Sequence, residues 1–167
     1  MEVLEAIRTR RSIRKYKDLD VPDDLIDQIL TAGTWAPSGM DNQPWRFAVI
    51  RDKKLKSDIA KLADQTRMVE SAPVIIPVFF DHQASYDTTK DIQAMGACLQ
   101  NMLLAIHGLG LGGVWLGQIR KNMDQVRVLC SAPESYELMA VIVLGYSAQG
   151  PVKSKRKDLG KVVFLRK

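Results

Sequence analysis

Cysteine and histidine are scarce in this chain of 167 residues: Cys98 and Cys130, His82 and His107 are the whole supply. Two cysteines give neither a disulfide framework nor a metal-ligand spacing, so both are expected to be buried thiols and no metal is expected. The two histidines read as structural. Aromatic residues are 7% of the chain and are not interleaved with its cations, which argues against a nucleic-acid-binding module. No apolar run approaches the roughly 18–20 residues that span a bilayer. The longest, Pro73 to Phe80, is eight residues and contains two prolines. Residues 1–17 are amphipathic and charged, with no apolar signal core, so the expected location is cytoplasmic, without a membrane partner.

What remains is an ordinary globular composition, 46% hydrophobic and 26% charged. It suits one domain over residues 1–167 with a sizeable core. Its charge is segregated. Residues 8–17 and 153–167 hold 13 of the 24 lysines and arginines and one acid, Asp158, a balance of +12; the rest of the chain is −7. Segregated cations can hold a phosphate, a nucleic acid or an anionic surface.

Hydrophobic periodicity predicts a helix from Val3 into Arg8–Arg11 and a second opened by Pro22, with Asp23 and Asp24 at its positive end and Gly33 then Pro37 stopping it. A strand is predicted at Trp45–Ile50, a short helix at Lys53–Leu62 and a buried strand at Val74–Phe80. The longest helix, Asp91–His107, carries the small-residue stripe Ala94, Ala97, Cys98, Asn101, Met102 and Ala105, a surface for another helix or a flat ligand. A strand at Val114–Leu116, a helix at 121–130 and a core strand at Met139–Leu144 complete an α+β or α/β pattern.

Four stretches carry chemistry. Arg10-Arg11-Ser12-Ile13-Arg14 places three guanidiniums and a hydroxyl at a helix exit, suited to bidentate bonds to phosphate. Ala36-Pro37-Ser38-Gly39-Met40-Asp41-Asn42-Gln43-Pro44-Trp45 is a proline-bracketed polar loop suited to a heteroaromatic edge. Gly108–Gly117 is glycine-rich but fails the G-x-G-x-x-G spacing, since Trp115 stands where the third glycine belongs; its glycines would let a flat ligand lie against the backbone. Lys153-Ser-Lys155-Arg156-Lys157 is a basic tail. Taken singly, the two basic runs read as solvated charge and the loop as ordinary structure.

In this order, the four resemble the nitroreductase family of flavin mononucleotide (FMN) enzymes. The likeness also runs through Gln100-Asn101-Met102-Leu103-Leu104-Ala105, Trp115-Leu116-Gly117 and Leu144-Gly145-Tyr146, nearly the whole chain. It implies a three-layer α-β-α sandwich with a central, mainly antiparallel sheet, an intertwined homodimer with FMN at the interface, and NADH or NADPH as reductant. By position it implies that Arg10, Arg11, Ser12, Arg14 and Arg156 hold the FMN phosphate and ribityl chain. Pro37, Ser38, Asp41 and Asn42 would touch the isoalloxazine, often from the other subunit, and Trp115, Leu116, Gly117 and Gln118 would face its ring near N5. Catalysis needs no side-chain acid or base, and the partner is a small-molecule electron acceptor such as a nitroaromatic or quinone. Two departures stand out. Asp41 replaces the usual Asn, with Asn42 beside it, and only about ten residues separate the 74–80 strand from the next helix, too few for the extra helices that roof the family's pocket. Related chemistries on the same fold are flavin fragmentation, dehalogenation and heterocycle oxidation; the dehalogenases depend on a lid that this spacing leaves out.

Overall fold

The computed structural model describes residues 1–150 and 152–167. Its helices are α1 (Val3–Thr9), α2 (Asp23–Thr34), α3 (Lys53–Ala60), α4 (Thr66–Ser71), α5 (Thr88–Gly108) and α6 (Met123–Leu129). Its strands are β1 (Trp45–Phe47), β2 (Val74–Asp81), β3 (Gly112–Leu116) and β4 (Tyr136–Gly145). They form one sheet in the order β1-β2-β4-β3, antiparallel at every step.

Local chemistry sets most boundaries. Asp23 and Asp24 occupy the first turn of α2 after Pro22, where the helix dipole favours anions. Asp52 caps α3 by accepting from the Leu55 amide at 2.7 Å, and Asp87 caps α5 by accepting from Lys90 N at 3.1 Å. Four expectations need correcting. Strand β1 ends at Phe47, and Ile50 makes only an isolated bridge to Ile75. Helix α4 was not foreseen, because six residues without a capping side chain leave no periodic signal. Gly33 does not stop α2; it is buried within the helix, where an added Cβ would lie 2.8 Å from Met102 Cγ. Cys98 is buried as expected, but Cys130 is half-exposed.

The sheet is the middle of three layers. Val74, Ile76, Val78 and Phe80 of β2 face α2 and α5 together with Ala140, Ile142 and Leu144 of β4. Ile75 and Phe79 face the opposite way, with Leu138, Val141 and Val143, against α3, α4 and α6. Alternation along β4 breaks once. Register shifts between Val78 and Phe79, so Met139 is unpaired and joins Ala140 on the same face, the signature of a β-bulge. Helix α5 is the most buried helix, with eight buried residues. Its Ala94, Cys98 and Met102 lie in the same core cluster as Ile26 and Ile29 of α2, Ala97 is half-buried, and Asn101, Leu104 and Ala105 stay partly open beside exposed Trp35. Between β2 and α5 the chain has only a single 3-10 turn, His82–Ala84, and no roofing helix. Among the described residues no helix is long and apolar enough to cross a membrane.

Candidate functional site

Beyond α1 the chain runs extended across the end of the sheet. Ser12 pairs in parallel with Gly113, and Ile13 N donates to Gly113 O at 3.0 Å. Glycine is needed here for the protein's own side chains. A Cβ on Gly112 would meet Ile13 at 2.8 Å and one on Gly113 would meet Ile106 at 3.1 Å. The expectation that a flat ligand uses these two glycines is therefore corrected. Gly117 differs, since nothing lies nearer than 3.6 Å to its built Cβ. Trp115 and Gln118 beside it are exposed, whereas Leu116 is buried.

The arginines collect at this end. Arg10, Arg11 and Ser12 are half-buried and Arg14 is exposed. Burial first, and then the charges of Arg156 and Arg11, push the Arg10 pKa down, which places Arg156 in the same electrostatic neighbourhood. Among the described residues no carboxylate forms an ion pair with Arg8, Arg10, Arg11, Arg14 or Arg156. Arg11 is partly committed. Its Nε donates to Val152 O at 3.1 Å and its Nη1 to Arg8 O at 2.6 Å and Arg10 O at 2.8 Å, tying the tail to α1 and leaving Nη2. Arg156 Nη1 donates to Ser154 Oγ and Lys155 O. A cavity of about 470 Å³ opens among Thr9, Arg10, Arg11, His107 and Gln149 over a floor of Leu103, Ile106 and Leu111. A second, of about 390 Å³, lies between Arg8, Arg11, Ser154 and Arg156. Guanidiniums without a carboxylate partner around open space could hold an anion.

The polar loop stands elsewhere. Met40, Asp41 and Gln43 all have positive φ, at 53°, 56° and 44°. Three left-handed non-glycine residues in four positions are held there by their surroundings. Ser38 Oγ accepts from Gln43 N at 3.1 Å, while Pro37 before it is exposed. Asn42 turns inward, donating through Nδ2 to Ala84 O at 2.9 Å and Asp91 Oδ1 at 2.8 Å. Both of its amide protons are spent, and its Oδ1 is buried without a donor. Asp41 is the member of the pair that faces solvent, with Oδ1 accepting from Gln43 Nε2 at 3.0 Å. Tyr86 packs against the loop at Gly39, so that a Cβ there would fall 1.9 Å from its hydroxyl.

Within one chain these two halves do not meet. The loop is tied to Asp91 in the first turn of α5, and the arginine cavity to His107 in its last. Sixteen residues of helix put about 24 Å between them, farther than one FMN reaches from phosphate to ring. From Gly113 to Gly117, which follows directly on the end of β3, the chain by contrast covers about 13 Å. A third cavity, about 830 Å³, joins Arg14, Lys15 and Tyr16 to Asp64 and Arg67. Sequence reasoning missed Asp64, Arg67, Asp91 and His107. Only Asp91, an acid in the first turn of a long helix, left a signal.

Comparison with known proteins agrees with this architecture. The family model described as Nitroreductase family matches residues 7–67 and 65–146. A protein of Methanothermobacter thermautotrophicus, carried under the provisional name NADH dehydrogenase/NAD(P)H nitroreductase, is 43% identical over 153 residues, covering 90% of this chain and 80% of its own. A crystal structure from Desulfovibrio desulfuricans, classed as a nitroreductase and solved in complex with FMN, is 43% identical with a TM-score of 0.95, covering 100% of this chain and 98% of that one. The NADPH:FMN oxidoreductase of Vibrio harveyi, solved with NAD+, is 28% identical with a TM-score of 0.90, over 98% of this chain and 76% of that one. By the family model and by these relatives, this chain belongs to the nitroreductase family.

Proposed function

We propose that the protein is an FMN-dependent oxidoreductase that takes hydride from NADH or NADPH and reduces a nitroaromatic, a quinone or a related small electrophile by a ping-pong cycle. The observation that carries this reading is the unpaired arginine cluster beside Gly113, with open backbone at Gly117, about 13 Å away just past the end of the same strand. The donor set suits a phosphate monoester at one end and a flat ring at the other. FMN, when bound, supplies the hydride-carrying ring for both half-reactions.

The chain's own residues bind and orient. Arg10, Arg156, Arg14 and the free Nη2 of Arg11 would neutralise the phosphate, and Ser12 would add a hydroxyl. Trp115, Leu116, Gly117 and Gln118 would bring backbone groups and open surface to the ring. Asp41 offers an outward carboxylate to an imide N–H; Asn42, with Pro37 and Ser38, would shape the loop behind it. No side chain is assigned as catalytic.

Helix α5 separates loop and cluster by about 24 Å, so a complete site draws on two subunits, and the proposal includes a homodimer. A second copy would also cover Trp35, 82% exposed, and Phe164, 98% exposed in the tail. A cytoplasmic location belongs to the same reading and is checked by cell fractionation. The deciding experiment is an absorption spectrum of the purified protein followed by anaerobic titration with NADH and NADPH. One flavin per subunit, bleached by either nucleotide and restored by menadione or a nitrofuran, is expected. A colourless protein that takes up no FMN would sink the reading.

A further inference from the structure

His107 is the least explained group at the basic end. It lies in the last turn of α5 and lines the same cavity as Arg10 and Arg11. Its Nε2 stands 2.8 Å from Thr9 Oγ1. The Thr9 hydroxyl has a single proton, and that proton goes to Glu5 O at 2.7 Å. With that bond kept, Nε2 carries a hydrogen and donates to Thr9, so in the neutral ring Nδ1 is bare. A purely structural histidine would stop there. This one stands among cations that lack counter-charges.

Its charged surroundings are few. Helix α1 contributes Glu5, the stretch after it contributes Arg10 and Arg11, the chain after β4 contributes uncharged Gln149, and no residue of 103–111 on its own element carries a charge apart from His107. Burial first, then Arg10 and Arg11, hold its pKa below the ordinary value, and Glu5 alone pulls it up. A phosphate dianion among those arginines offsets their charge, which shifts His107 towards the charged imidazole.

We propose that His107 is a proton-coupled ligand of the flavin phosphate: neutral without the anion, and protonated at Nδ1 when the dianion is bound. The proposal rests on the assignment of the FMN phosphate to this end of the molecule. The exchange balances simply. One proton from solvent joins Nδ1 as the dianion enters, no bond in the flavin changes, and Thr9 keeps its hydrogen bond from Nε2. The consequence is selection. Riboflavin, lacking the phosphate, recruits no proton, and FMN affinity falls as pH rises through the pKa that His107 has in the complex.

The chain has only two histidines, which makes the test direct. The Cε1–H signals of the FMN-loaded full chain are followed by NMR from pH 5 to 9 and compared with the riboflavin-loaded or flavin-free protein. A His82→Asn variant removes the other signal; should it fail to fold, the signal that responds to flavin in the wild type serves, since His82 is paired with Glu137, which also holds Arg120, and does not line the cavity of Arg10 and Arg11. The expected result is a His107 midpoint above about 6.5 with FMN and below it without phosphate. A midpoint that stays low with FMN, or is the same in both samples, overturns the proposal and leaves the flavin assignment standing. Failure to bind FMN at all overturns both.

Discussion

Asp91→Asn exchanges one heavy atom and should unfasten the polar loop around Asn42. The Asp91 carboxylate is fully buried and accepts four hydrogen bonds. Oδ2 takes Ser85 Oγ at 2.7 Å and the amides of Tyr86 and Asp87 at 3.2 Å each, and Oδ1 takes Asn42 Nδ2 at 2.8 Å. The asparagine has one oxygen, and three donors claim it. Its amide nitrogen is left facing the amide nitrogen of Asn42. Turning the Asn42 amide over gives no relief, because its oxygen would then face Ala84 O, 2.9 Å away. One charge-assisted bond is lost and one donor is stranded, at about 1.5–3 kcal/mol. The pH dependence has a definite sign. Burial alone would raise the Asp91 pKa, but the bonds from Ser85, Asn42 and the two amides outweigh it and hold the group below the usual carboxylate range. A depressed folded pKa gives stability that is present above the unfolded value of about 3.9 and lost as pH falls through the folded one. Urea unfolding at one fixed protein concentration should therefore show the full gap between wild type and variant at pH 7 and a smaller one near pH 3. Hydrogen exchange at residues 38–43 should speed up in the variant at neutral pH, since Met40, Asp41 and Gln43 lose what holds them left-handed. Unchanged exchange there, or a gap that does not narrow with acid, would refute the account.

Three other outcomes are expected. Arg10→Ala with Arg156→Ala should release FMN, and equilibrium dialysis showing unchanged affinity would remove the arginines from the phosphate site. Asp41→Asn should raise the flavin midpoint potential by tens of millivolts: a charge about 4 Å away at an effective dielectric of 20 sets an upper limit near 4 kcal/mol, and about 30 mV is tenfold for two electrons. An unchanged potential would place the carboxylate away from the ring. Trp35→Asp should put a charge into the open face beside Leu104 and Ala105, and light scattering should then find monomer; an intact dimer would move the interface elsewhere.

The sequence revealed what repeats and what clusters. Strand β2, helix α5 and the segregated arginines were legible because apolar periodicity and charge runs are local signals. Neighbours across the fold were not. That Ile13, not a ligand, fills the space over Gly112 depends on a pairing between residues 99 or more positions apart. The inward turn of Asn42 depends on Asp91, forty-nine residues on. Met139 looked like one more core residue, and only the register against β2 shows it to be the bulge that flips the faces of the strand.

Under the proposed homodimer, helix α5 would carry half of one site at each end, and this has a genetic consequence. Every flavin position would combine the arginines of one subunit with the loop of the other. A chain damaged only in its arginines and a chain damaged only in its loop would each be inactive alone. Mixed together, both lesions fall on the same site of the heterodimer, and the second site is left with undamaged contributions from both chains. Two defective alleles can thus restore each other, at up to one working centre per pair.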